Sequence, residues 1–294
     1  MVTGASGLLG RAIVRRLAER DEVRATVRRS EASDELRSLG AKVAVRTVDD
    51  PHDLLEILPR VHTLVHLVGG VDQPDGEATL RANHASTVAA VAAAKQAGVR
   101  RFVLLSATGA DPASSHPFLR AKGLAEEVVV HSGLEYAVVR SAHVYGLGGL
   151  WFTATVVAAE AGFVIGPGDR RFAPVLAEDV AAVVASIDDR GDPVAGVWRL
   201  EGPDPVTADE LYRLLDGLGR PDHLLPADAA TRLEDLLERP IALSVTELLA
   251  SPSRDLDLPE AAESFGVPRT RLVDGLRRTA DRAADLAARV ARDA

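Results

Sequence analysis

Cysteine is absent from the 294 residues, which removes disulfides, thiolate metal sites and thiol nucleophiles together. Basic charge is in deficit: 34 Lys and Arg stand against 43 Asp and Glu, a net charge of −9. A sequence-independent grip on nucleic acid is therefore not expected. Lysine itself is scarce, with only Lys42, Lys95 and Lys122 beside 31 arginines, so a lysine retained inside a pocket-like motif draws notice. Long apolar runs are missing too. The least charged stretch, 146–168, carries Glu160 inside it and Gly and Pro at its ends, which suits a loop and helix over a ligand cleft better than a membrane span. Nothing at the start reads as a signal peptide, and a cytoplasmic protein is expected. No metal centre is expected from the eight histidines, and no glycosidase carboxylate pair can be read from spacing. Ser114-Ser115 lacks the flanking glycines of a nucleophile elbow, which argues against a hydrolase.

What is present is an alternation. Hydrophobic residues at 47% and charged residues at 26% are the balance of a globular chain with ample core. Short apolar runs at 23–27, 42–45, 63–68, 101–106, 136–140 and 197–200 read as strands buried on both faces. Helical patterns at 8–19, 53–58, 80–96, 118–131, 152–161 and 179–187 lie between them. This predicts an α/β fold, a Rossmann-type doubly wound parallel sheet with ligands at the carboxyl ends of its strands. Residues 1–150 are expected to bind a dinucleotide. Residues 151–294 would form a smaller, mostly helical substrate-side part, with about 173–202 returning to the sheet. Thr207-Ala-Asp-Glu210 and Ser244-Val-Thr-Glu247 both match the capping box. The stripe Leu272, Leu276, Ala280, Ala283, Ala287 and Val290 predicts a final helix packed on the body or on a second copy in a homodimer.

Gly4-Ala-Ser-Gly7-Leu-Leu-Gly10 carries the main chemical signal. A strand-to-helix turn that meets a pyrophosphate needs glycine at the sharp bend, at the closest backbone approach and at the helix–strand contact. The helix after it offers free amides and a positive dipole end. Gly4, Ser6, Gly7, Leu8, Leu9 and Gly10 are therefore the expected diphosphate holders. Only three residues precede Gly4, short for a central strand, so the natural start is expected further upstream. At the end of the second strand, Arg28, Arg29 and Ser30 would pair with a ribose 2′-phosphate, favouring NADP(H), with NAD(H) open because Glu31 follows.

The glycine turn, Val65-His66-Leu67-Val68-Gly69, Asn83, Ala97 to Val103 followed by Ser106, Arg140 to Gly146, and Glu178-Asp179-Val180-Ala181 together resemble the short-chain dehydrogenase/reductase superfamily. The likeness is to its atypical NmrA-like and NAD-dependent epimerase-like members, and 248–267 is similar to bacterial relatives of the respiratory complex I 39-kDa subunit. The resemblance implies that Val68 and Gly69 border the cofactor and that Thr47-Val48 replaces an Asp-Leu pair which contacts adenine, leaving Val48 to pack on the base.

Active members carry Tyr-x-x-x-Lys, the phenol passing the proton and the lysine holding the nicotinamide ribose. The matching segment here is Phe118-Leu-Arg-Ala-Lys122: the lysine stands and the phenol is missing. Phenylalanine donates no proton. Ser106 and Thr108 compete to orient a substrate oxygen, and His116 and Tyr145 are the remaining candidate proton donors. Three functions stay open. One is an NADP(H)-dependent oxidoreductase passing hydride directly to a small quinone-like or conjugated carbonyl compound. The second is a non-catalytic NAD(P)-binding sensor or assembly protein, and the third a sugar-nucleotide epimerase or dehydratase.

Overall fold

The computed structural model describes residues 1–215, 217–251 and 257–280. Seven strands form one sheet: β1 (Val2–Thr3), β2 (Arg24–Val27), β3 (Lys42–Val45), β4 (Thr63–His66), β5 (Arg101–Ala107), β6 (Glu135–Ser141) and β7 (Ala195–Leu200). Their order is β7-β6-β5-β4-β1-β2-β3, and every pairing is parallel. This is the expected Rossmann-like sheet, with its topological switch between β1 and β4.

The central β1 is only two residues long, yet its ladder is longer. Met1 O accepts from Val65 N–H (2.8 Å), Thr3 O from Leu67 N–H (3.2 Å), and Ala5 N–H donates to Thr26 O (3.2 Å). These bonds continue the pairing past both ends of the strand and set its carboxyl end at the switch point.

Two apolar layers flank the sheet. On one face, the helices Leu8–Leu17 and Ala177–Asp188 bury Ile13, Val14, Val180 and Val184 against Val2, Val103 and Val139. On the other, Pro51–Leu55, Ser86–Ala97 and Pro117–Val130 bury Leu54, Ala90, Ala94 and Ala125 against Leu64, Phe102 and Val138. A smaller core forms from Leu150–Glu160, Pro226–Leu237 and Leu243–Ala250 around the short strand Phe163–Ile165. The apolar stretch 146–168 thus supplies a helix of 11 residues, and among the described residues no helix is long and apolar enough to cross a membrane.

Local differences from the sequence reading have physical causes. The long helix expected over 80–96 is broken into Gly76–Leu80, a π-helical turn Arg81–Ala85 and Ser86–Ala97. Within the π turn, the Asn83 amide bonds both Gly70 N–H and Gly70 O instead of facing solvent. The Thr207–Glu210 capping box forms in full. The Ser244–Glu247 box does not: that helix begins at Leu243 with Ala242 as its cap, so Ser244 is already inside it. Asp50 caps the helix Pro51–Leu55 through His52 N–H, which moves its start before the expected Asp53. Leu272 of the final stripe is buried beside Tyr145, whereas Ala283, Ala287 and Val290 lie outside the described residues.

Arg101, fully buried at the start of β5, closes the carboxyl end of the helix Ala177–Asp188. Its guanidinium donates to the carbonyls of Ile187, Asp188, Arg190 and Asp192 and to Glu135. Arg101→Met leaves those buried acceptors unpaired and should lower unfolding stability by roughly 3–5 kcal/mol in urea titration. A loss below about 1 kcal/mol would contradict this.

Candidate functional site: a cleft at the strand switch

An open cleft of about 340 Å³ lies at the carboxyl ends of β1, β4, β5 and β6. Its first wall is the glycine turn, where each glycine has a separate reason. Gly4 adopts φ +70°, and a Cβ there would press 3.0 Å from the Leu67 carbonyl carbon and Val68 N. Gly7 caps the helix Leu8–Leu17 without a side-chain cap, and a Cβ there would meet only Gly4 O at 3.7 Å. The helix start is therefore open toward the cleft, which Leu8 and Leu9 line. Gly10 has no such room, since its Cβ would lie 2.5 Å from the Ala5 backbone. That is the helix–strand contact expected of the third glycine. Ser6 is exposed on the turn, with its carbonyl accepting from Arg11.

The second wall follows β4. Val68 is half-buried and Gly69 is exposed at φ +124°. A Cβ at Gly69 would fall 2.2 Å from Asn83 Oδ1, because the fully buried Asn83 pins the backbone there. Its Nδ2 donates to Gly70 O (3.1 Å) and Thr79 O (2.9 Å), while Oδ1 accepts from Gly70 N–H (3.1 Å). Asn83 is thus a positioning residue for the cofactor wall, a role that its place in a predicted helix did not reveal.

Arg28, Arg29 and Ser30 stand exposed just beyond β2. The expectation for Val48 is corrected. Its side chain is 3% exposed and packs in the cluster of Met1, Leu54 and Leu58, so it offers no face to an adenine. Thr47 is exposed and donates to Asp53 Oδ2 at 3.1 Å.

At the far end, Phe118 and Lys122 share the cleft wall with Thr108. Lys122 is 6% exposed; its Nζ donates to Leu105 O at 3.0 Å and lies 5.8 Å from the Phe118 ring centre. Burial lowers its pKa from 10.5 to about 8, against the opposing pull of the Glu126 carboxylate. Ser106 and Thr108 no longer compete. Ser106 donates to Glu126, which also accepts three charged bonds from Arg140 (two from Nε, the shorter at 3.0 Å, and one from Nη2 at 2.7 Å). Thr108 is 3% exposed, lines the cleft, and its buried hydroxyl has no hydrogen-bond partner.

Neither sequence-expected proton donor lines the cleft. Tyr145 is fully buried with Leu176, Leu211 and Leu272, its phenol against Gly275 on the final helix, outside the cleft lining. Burial, then Asp179 and Glu178, push its pKa above the normal phenol range. The His116 Nε2 donates to Ser244 O at 2.9 Å, and its buried Nδ1 has no partner. His116 is a latch between the helix Pro117–Val130 and the C-terminal helix Leu243–Ala250.

The sequence reading passed over His143, which lines the cleft after β6. Its ring lies 5.2 Å from Trp151 and 5.1 Å from Phe172, and burial, then Arg170, lower its pKa to about 4. It is neutral at physiological pH. The usable signal was its place at the carboxyl end of a sheet strand. His62 and His66 stand four apart, but His66 is buried against Thr3 and Ser86, and no group of three metal-ligating side chains forms among the described residues.

Comparison with known proteins agrees with this geometry. A family model described as NAD(P)H-binding matches residues 4–189. The chain is 30% identical over 227 residues to the mitochondrial NADH dehydrogenase [ubiquinone] 1 alpha subcomplex subunit 9 of Arabidopsis thaliana, covering 73% of this chain and 56% of that relative. It is 26% identical over 257 residues to the NAD(P)H azoreductase of Xenophilus azovorans, covering 79% and 85%. The NADPH-dependent quinone oxidoreductase QOR2 of Escherichia coli, solved with NADPH, shares the fold at TM-score 0.74 and 22% identity, over 94% of this chain and 98% of that one.

The depressed Lys122 pKa has a checkable sign. Between pH 8 and 10.5 the folded chain binds fewer protons at this site than the unfolded chain, so the Lys122 contribution to stability rises with pH there. Compared with Lys122→Met in urea unfolding, the wild type should gain roughly 2–3 kcal/mol across that window. A difference independent of pH would contradict the burial of Lys122.

Proposed function

As a member of the NAD(P)H-binding family, this chain is, we propose, an NADP(H)-dependent reductase that passes hydride directly to a small quinone-like or conjugated carbonyl acceptor. The observation that carries the reading is Phe118. It occupies the cleft wall beside Lys122 at the place where the resemblance calls for a phenol.

The bound nicotinamide supplies the hydride; the chain's residues do the rest. The open start of the helix Leu8–Leu17 takes the diphosphate, and Lys122, cationic at neutral pH, takes the nicotinamide ribose. Arg28, Arg29 and Ser30 favour the 2′-phosphate. The Thr108 hydroxyl donates to the acceptor oxygen, and Phe118 keeps water from that side.

The acceptor class follows from what is missing. An isolated ketone becomes a localised alkoxide as hydride arrives and needs an acid in place. A quinone or extended enone spreads the new charge over its conjugated system, needs only a hydrogen-bond donor at the oxygen, and takes its proton from water afterwards. The relatives named for azo and quinone reduction support this reading. The similarity to a complex I subunit favours, as a second reading, a non-catalytic holder of NADP(H).

Calorimetric titration should show NADPH binding more tightly than NADH. Arg28→Ala should weaken NADPH about tenfold or more while leaving NADH nearly unchanged. Quinones should then oxidise the bound NADPH, followed by its absorbance. Tight binding without oxidation by any acceptor would favour the second reading, and no binding would refute both.

A further inference from the structure

Arg170 is a buried charge for which no carboxylate partner is found among the described residues. It is 7% exposed, and its Nη2 donates to Ile165 O (2.8 Å) and Leu249 O (2.9 Å), while Nε and Nη1 are buried with no hydrogen-bond partner. The guanidinium lies over the Phe172 ring at 4.6 Å. Among the described residues no carboxylate forms an ion pair with it. Space has been left for it: Gly166 sits at φ +77°, where a Cβ would come within 2.5 Å of Nη1. Desolvation lowers its pKa to about 10 despite Asp169 nearby. Keeping a buried guanidinium with free N–H groups is costly unless a ligand brings the counter-charge.

The cavity at Arg170 adjoins the cleft. It measures about 30 Å³ and is walled mostly by apolar side chains such as Phe163, Ile165 and Leu211, with Thr155 and Tyr212 among its lining. That is room for roughly two water-sized atoms, the size of a carboxylate's two oxygens. Trp151 and Leu249 line both this cavity and the cofactor cleft, so their side chains form the partition between them. On the cleft side of the partition stands His143, its ring tilted 42° to Trp151.

We infer that Arg170 receives a carboxylate carried by the substrate, so the acceptor is a flat conjugated acid with its ring beside His143 and Trp151. This rests on the reductase reading for the identity of the acceptor, and on Arg170 alone for the acid group. Neutral His143 does not compete for the anion, and the aromatic rings suit a planar acceptor. Reaching Arg170 requires the Trp151 indole, half-buried on the first turn of the helix Leu150–Glu160, to swing aside and admit the carboxylate.

The test pairs carboxy-benzoquinone with its methyl ester on the NADPH-loaded protein. The acid should show a KM at least tenfold lower than the ester, and Arg170→Met should erase that preference while Arg170→Lys keeps part of it. Where Arg170→Met fails to fold, shrinkage of the acid-over-ester ratio in Arg170→Lys carries the test. Independently of turnover, benzoate should raise the melting temperature of the wild type but not of Arg170→Met. Methyl benzoate and sodium chloride at matched concentration should do neither. Equal KM values for acid and ester, or benzoate protection surviving in Arg170→Met, would overturn the inference. Chloride protecting as well as benzoate would overturn it in favour of a site for inorganic anions. If neither quinone oxidises NADPH, the reductase reading fails, and the benzoate comparison still decides the role of Arg170.

Discussion

The carboxylate of Glu126 ties three elements together beneath the cleft. It accepts a hydrogen bond from the Ser106 hydroxyl on β5 and three charged bonds from Arg140 on β6, and it sits one helical turn beyond Lys122. Its field opposes the desolvation that lowers the Lys122 pKa, so that the ammonium stays mainly protonated at neutral pH. Two consequences reach the chemistry. Ser106 is committed to the network and leaves Thr108 as the unpartnered hydroxyl, and Lys122 is held against the Leu105 carbonyl, where the proposed function would use it for the ribose. The reaction proposed for this cleft depends on that floor, because no phenol stands above it.

Polar contacts of another kind tie the C-terminal part to its neighbours. His116, at the start of the lysine-bearing helix, reaches the Ser244 carbonyl, and Arg170 reaches the Leu249 carbonyl on the same C-terminal helix. Trp151 stands between the cofactor cleft and the Arg170 cavity. Hydride chemistry and acid recognition would thus fall on opposite sides of one indole. The substrate's orientation would be set by the part of it that does not react.

Where periodicity and glycine spacing carry information, the fold was legible. The strand expected at 42–45 is observed as Lys42–Val45, and the other five expected strands shift by at most two residues at either end. Gly4 and Gly10 have steric reasons for lacking a Cβ, whereas a Cβ at Gly7 would meet only an ordinary contact. What stayed hidden depends on direction and on partners distant in sequence. Val48 turns into the core, Tyr145 turns toward the final helix, and Ser106 is claimed by a carboxylate twenty residues away. Asn83 bends its helix into a π turn to reach Gly70, and His143 is marked only by where its strand ends. Arg170 lay among thirty other arginines, and only burial set it apart.

The central claim is hydride transfer without an acid in place, and isotope effects on a single turnover test it most directly. NADPH deuterated at the transferring position, mixed with protein and a quinone, should slow the reaction by a primary isotope effect. With unlabelled NADPH, the reaction in heavy water should proceed at nearly its rate in ordinary water. A solvent isotope effect as large as the substrate effect would mean that a proton moves with the hydride. A general acid would then have to stand in the cleft, contradicting the role given to Phe118.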